Sequence, residues 1–178
     1  MGCLLRGCLS IVVLIVALVV VAFALTHSVL GNYRVFGNAM APALRSGDFV
    51  IVDKVSYRFH SPNRGDIVVF TRSAEPSRTF IMRVIGLAGD RVTLRRRGDS
   101  LEEYVNGHMD SESRGNGGTA GKSLTGCGRP TCTYTVPSHH VFVLGDNWAN
   151  SFDSRQMGPV PENRVIGRVL FSYWHSRA

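Results

Sequence analysis

From Leu9 to Leu25 the chain carries a single polar residue, Ser10. An apolar run of this length lies at the lower limit of what crosses a bilayer, roughly 17 to 25 residues. Continuing it through Thr26-His27-Ser28-Val29-Leu30 gives a comfortable span at modest polar cost. Arg6 and the amino terminus precede the run with no acidic residue, which keeps the N-terminus cytoplasmic and sends the remainder across. The same run also reads as a cleavable secretory leader, with Ala22-Phe23-Ala24 as a small-x-small cleavage site. Both readings place the rest of the chain outside the cytoplasm. On the first reading the organisation is a cytoplasmic N-terminus at 1–8, a transmembrane anchor at 9–30 in contact with membrane lipid, and an extracytoplasmic domain at 31–178.

Beyond a polar link near Gly31-Asn32 the pattern changes to β. Phe49–Tyr57, Asp66–Thr71, Thr79–Ile85, Arg91–Arg95, Thr131–Val136, Val141–Leu144 and Val165–Tyr173 are rich in β-branched and aromatic residues, with turn signals such as Ser46-Gly47-Asp48 and Gly89-Asp90 between them. No long amphipathic helix interrupts them. The fold class is therefore all-β, mostly antiparallel, with one core. Residues 98–130 read as a loop-rich insertion, because Asp110–Gly128 is dominated by Ser, Gly, Asn and Thr.

The net charge of +7 comes from 18 Arg and 2 Lys against 13 acidic residues, a bias that fits a GC-rich genome. No nucleic-acid motif or aromatic interleaving accompanies Arg95-Arg96-Arg97, so no nucleic-acid partner is expected. Gly121-Lys122-Ser123 resembles part of a phosphate-cradling loop. Asn116 stands where that loop needs its first Gly, and a polar stretch precedes it instead of a buried strand, so nucleotide binding is rejected. Cys127 and Cys132 share one short loop on the oxidising side and are a disulfide candidate, with two free thiols as the alternative. Without further Cys or His nearby they form no metal site. No cofactor is expected.

Four blocks carry the chemistry: Gly37-Asn-Ala-Met-Ala-Pro-Ala-Leu-Arg-Ser-Gly-Asp48, Arg64-Gly-Asp-Ile-Val-Val-Phe70, Met82-Arg-Val-Ile-Gly-Leu-Ala-Gly-Asp90 and Gly145-Asp-Asn-Trp-Ala-Asn-Ser-Phe-Asp-Ser-Arg155. In this order, behind an apolar N-terminal segment, they resemble the type I signal peptidase family, bacterial Ser/Lys membrane endopeptidases that remove signal peptides from exported preproteins. The resemblance runs nearly the whole chain, to about Val169. It implies a signal-peptidase-like β domain, a retained anchor and signal peptides as partners.

The family mechanism pairs a Ser nucleophile with a Lys base kept unprotonated by an apolar pocket. The nucleophile opens Ser-Met-x-Pro-Thr-Leu and the base opens Lys-Arg-Val-Ile-Gly. Carried over, the nucleophile position is Ala39 and the base position is Met82, and neither side chain can do that chemistry. The resemblance further implies that Ser151 orients the base, that Asp153 and Arg155 form a structural ion pair, and that Arg83 and Asp146 form a second one. Gly37 and the main-chain N–H of Ala39 correspond to the oxyanion hole, with Met40 and Pro42 beside the substrate groove. Lys54, Lys122, His139 and His140 are the other candidate bases, none at the family position, and Ser46 fits a turn role.

The chain is thus expected to be inactive as written. Three readings of the replaced dyad stand together: a diverged family member, a non-catalytic peptide-binding scaffold, and an engineered substrate trap. Ala43 and Ala88, where the family usually has Thr and Pro, favour natural divergence.

Overall fold

The computed structural model describes residues 11–20, 29–98, 100–109 and 127–173. Residues 11–20 are helical with their apolar side chains exposed. Among the described residues no helix is long and apolar enough to cross a membrane. Residues 1–8 and the rest of the expected anchor up to residue 28 lie outside them, as does the Asn116–Ser123 near-motif.

Leu30, expected to close the anchor, instead opens β1 (Leu30–Arg34), so the polar link near Gly31-Asn32 is a strand. It pairs in full register with β2 (Phe49–Asp53), from Leu30 opposite Asp53 to Arg34 opposite Phe49. Main-chain pairing holds it, since Gly31 is its one buried residue and no apolar alternation marks it. The expected strand Phe49–Tyr57 stops at Asp53, whose Oδ1 accepts from the N–H groups of Val55 (2.9 Å) and Ser56 (3.1 Å). Those bonds turn the chain into the 3-10 turn Ser56–Arg58.

The other strands are β3 (Ile67–Arg72), β4 (Glu75–Gly86), β5 (Arg91–Arg97), β6 (Ser100–Val105), β7 (His108–Met109), β8 (Thr131–Thr135), β9 (His140–Leu144), β10 (Val160–Pro161) and β11 (Val165–Tyr173). They form two antiparallel sheets, ordered β1-β2-β11-β3-β4-β9-β10 and β7-β6-β5-β8. β6 and β7 lie within the stretch 98–130 read as a loop-rich insertion, ahead of its Asp110–Gly128 part. Leu101, Glu103 and Val105 face inward, and the buried Glu103 hides that alternation in the sequence. The two-residue turn Asn106-Gly107, both at positive φ, closes the hairpin. Residues 110–126 lie outside the described residues. At the far edge of this stretch Cys127 and Cys132 are joined as a disulfide, Cα–Cα 6.3 Å.

The expected single core is two. Val50, Val52, Val68, Phe70, Val84 and Val143 belong to one, and Ile85, Val92, Leu94, Phe142, Leu144 and Trp148 to the other. β4 and β9 feed both by alternation, Val84 against Ile85 and Val143 against Phe142, because each of their faces is covered. This is why Val141–Leu144 is apolar without a break.

Asp90 clamps the two sheets. Its carboxylate accepts from Arg64 (Nη2, 2.7 Å), the Leu87 N–H (2.7 Å) and Asn106 Nδ2 (2.8 Å), tying the loop before β3 to the β4–β5 and β6–β7 turns. Burial pushes this carboxyl up, but the three donors outweigh it and hold it below its ordinary value. Its contribution is thus complete at neutral pH and is lost as pH falls below about 4, through the depressed folded-state value. Asp90→Ala should cost about 1–3 kcal/mol in urea unfolding at pH 7. The gap to the unaltered chain should shrink by pH 2–3, and a gap undiminished there would contradict the clamp.

Candidate active site

The loop between β1 and β2 carries the first block. Val35 donates to the Asp48 carbonyl (2.8 Å) and accepts from the Gly47 N–H (2.9 Å), so residues 36–46 form a closed loop. Gly37, at φ +81, lets the chain turn out of the sheet, and its N–H donates to Ser46 Oγ at 3.2 Å. Met40 and Leu44, 1% and 3% exposed, anchor the loop in the first core. Ala39 sits on that loop, and its carbonyl accepts from the Asn147 N–H at 2.8 Å. Its own N–H meets no acceptor among the described residues, so it remains available to a bound group.

Met82 lies on β4 opposite Val68, 3% exposed and packed in the first core. Ala39 and Met82 open onto one groove of about 590 Å³, walled by residues 32–40 on one side and 78–82 on the other, with Asn150 and Phe152 at its margin. Gly37 and Met40 line it too. Pro42 is exposed and is not among its lining residues. β4 pairs with β3 along residues 79–83, whereas its ladder with β9 begins at Arg83. The stretch Arg78–Met82 therefore turns an unpaired strand edge into the groove.

Behind the groove stand the remaining predicted residues. Arg83 faces away from Met82 by strand alternation and grips Asp146 with two bonds, Nε–Oδ1 2.8 Å and Nη2–Oδ2 2.7 Å. The hydrogen bonds to Asp146 raise the Arg83 guanidinium against the opposing effect of burial. Asp153 and Arg155 have side chains fully shielded from solvent and are joined Nε–Oδ1 at 2.7 Å and Nη2–Oδ2 at 2.8 Å. Asp153 also caps the helical turn Ser154–Met157 in a reciprocal box with Gln156.

Ser151 is the informative member. Its Oγ is buried and has no hydrogen-bond partner among the described residues. A buried hydroxyl without a partner is costly, and its presence calls for a reason. Gly145 explains its surroundings: a Cβ there would collide with Ser151 Oγ and stand 2.6 Å from the Ala39 carbonyl oxygen, so only glycine lets the end of β9, Ser151 and the Ala39 loop meet.

None of the alternative bases joins them. Lys54 packs beside Gly31, His139 sits exposed in a turn at positive φ, and His140 begins β9 with Nδ1 2.8 Å from the Ser138 carbonyl. None of the three lines the groove, and Lys122 lies outside the described residues. Sequence reasoning missed the aromatic and cationic lining, Arg34, Phe36, Arg78, Phe80 and Phe152. The signal available was the extended stretch Asn32–Phe36, passed over as a link.

The sequence profile described as "Signal peptidase, peptidase S26" matches residues 8–174. Signal peptidase I of Bacillus caldolyticus is 39% identical over 171 residues, covering 89% of this chain and 87% of that protein. Signal peptidase I V of Bacillus subtilis (strain 168) is 37% identical over 160 residues, covering 85% and 90%. The crystal structure of a signal peptidase I from Enterococcus faecalis V583 shares 31% identity and a TM-score of 0.45, over 63% of this chain and 98% of that one. A profile matched across all but the two ends, with relatives this similar over most of their own length, means that the chain belongs to the signal peptidase family, peptidase S26.

Proposed function

We propose that this chain is a membrane-anchored signal peptidase homologue that holds extended, signal-peptide-like segments in its groove without cleaving them. One observation carries the reading. Among the described residues, the groove lining contains no Ser, Cys, Lys, His, Asp or Glu. The family positions for nucleophile and base are Ala39 and Met82, and the one aliphatic hydroxyl among the described lining residues, Thr79, has no Lys or His beside it in that lining. The unpartnered Ser151 hydroxyl supports the same reading, since its oxygen is placed to accept from an amine at the family's base position and none is there. Peptide binding needs no dyad. The free edge of β4 offers main-chain hydrogen bonds to an extended segment, in the manner of strand addition. The anchor rests on the Leu9–Leu25 run, and on the family, whose mitochondrial relatives include a "Mitochondrial inner membrane protease subunit 1" of Homo sapiens.

The test is equilibrium binding by the full chain in detergent micelles. A peptide with a small-x-small motif should bind saturably and be recovered intact. Replacing both small residues with Phe should weaken it about tenfold or more, because a close-fitting wall cannot take the added volume. Recovery of cut peptide, or binding indifferent to the small residues, would overturn the proposal.

A further inference from the structure

The groove is electrostatically lopsided. Beside the neutral Ala39 and Met82, its lining carries two guanidinium groups, Arg34 from β1 and Arg78 from β4, with no acidic residue in the described lining. The two differ in how they are held. Arg78 lies 5.2 Å from the Phe80 ring centroid and 3.5 Å from Glu75, a carboxylate already bound to Arg72 at 2.8 Å. Arg34 has aromatic neighbours alone, its guanidinium 5.6 Å from the Phe36 centroid and 5.8 Å from that of Phe49. Phe49 in turn stacks on Tyr173, whose hydroxyl accepts from Asn32 Nδ2 at 2.6 Å. No hydrogen bond or ion pair among the described residues uses the Arg34 donors.

A guanidinium lying on rings is oriented without consuming its N–H groups, which is the arrangement suited to receiving a carboxylate in a forked contact. From this, and resting on the peptide-binding reading above, we propose that Arg34, assisted by Arg78, is a specificity subsite for an acidic side chain on the bound peptide. The spacing of Arg78 from Met82 along β4 gives the register. Arg78 precedes Met82 by four residues on an extended strand, about 13 Å. The acidic residue therefore lies about four positions from the peptide residue presented to Ala39 and Met82.

The experiment is fluorescence anisotropy with the full chain in micelles at low salt. The probes are a neutral small-x-small peptide and two variants with Asp four residues before or after the motif. One acidic placement should bind about five- to tenfold tighter than the neutral peptide, and high salt should shrink that gain. Arg34→Gln should abolish the gain, so that the acidic and neutral peptides bind alike, and Arg78→Gln should reduce it. Equal affinity for all three peptides, or a gain that survives both substitutions, overturns the subsite while the peptide groove stands. If the neutral peptide also fails to bind, the groove reading itself falls and the subsite with it.

Discussion

The full chain carrying both Ala39→Ser and Met82→Lys is expected to cleave a preprotein after a small-x-small motif, while the unaltered chain and each single variant do not. A hydroxyl at residue 39 with a thioether at residue 82 has no base, and general-base assistance alone is worth about 10²–10⁴ in rate. An amine at residue 82 facing Ala39 has no nucleophile. Groups that act as one unit are non-additive, so the double variant should exceed either single by a factor on the order of 10³. The site is otherwise prepared: Met82 is 3% exposed, which would keep a lysine there partly unprotonated, and the Ser151 hydroxyl is free to accept from its amine.

That same burial sets the sign of a stability effect. A lysine whose folded-state pKa is lowered binds its proton more readily when unfolded. Met82→Lys should therefore destabilise the fold most at low pH, with the deficit shrinking as pH rises towards the ordinary lysine value near 10.4. Adding Ser151→Ala to the double variant should lower its cleavage. Cleavage by the unaltered chain, or a single variant as active as the double, would defeat the assignment of Ala39 and Met82 as the decisive positions.

What the residues announced in advance follows from where each signal resides. Val141–Leu144 was legible because its composition reports burial, and Val165–Tyr173 because it is rich in β-branched and aromatic residues, although Gly167 is its one buried residue; both are strands. β1 was not, because its stability lies in main-chain pairing and it buries only Gly31. β6 was hidden by Glu103, an inward acidic residue in an otherwise regular alternation, although Asn106-Gly107 is a strong hairpin signal and was there to be read. The juxtaposition of residues 39 and 82 was accessible through motif order alone, since they are brought together by a loop closed on Asp48 and a strand register against β3 that no local pattern encodes. The same holds for Ser151. The family resemblance marked it as a supporting hydroxyl, but that its oxygen is buried and unpartnered among the described residues is a property of the packed site.

The ion pair behind the site should give the largest loss of stability. Asp153 and Arg155 are both fully shielded, so neither charge is solvated and each depends on the other. Asp153 Oδ1 accepts from the Arg155 main-chain N–H (3.2 Å) and Nε (2.7 Å), and Oδ2 accepts from Arg155 Nη2 (2.8 Å) and the Gly145 N–H (3.2 Å). Arg155 Nη2 also donates to the Trp148 carbonyl at 2.7 Å. Asp153→Ala strands a guanidinium in the interior, removes the cap of Ser154–Met157 and frees Gly145. It should cost about 3–5 kcal/mol, a large share of the roughly 5–15 kcal/mol typical of a folded domain. Urea unfolding of the full chain in micelles measures it. The companion variant Asp153→Ala with Arg155→Met removes both charges, so its cost should fall clearly below the sum of the two single losses. An unchanged urea midpoint for Asp153→Ala, or strict additivity in the double variant, would show that the pair is not coupled in this way. Because Gly145 packs against both Ser151 and the Ala39 carbonyl, the loss should reach the groove as well. Peptide binding by Asp153→Ala should weaken even at denaturant concentrations where most of the chain remains folded, since the segment that follows β9 holds the Ala39 carbonyl through the Asn147 N–H.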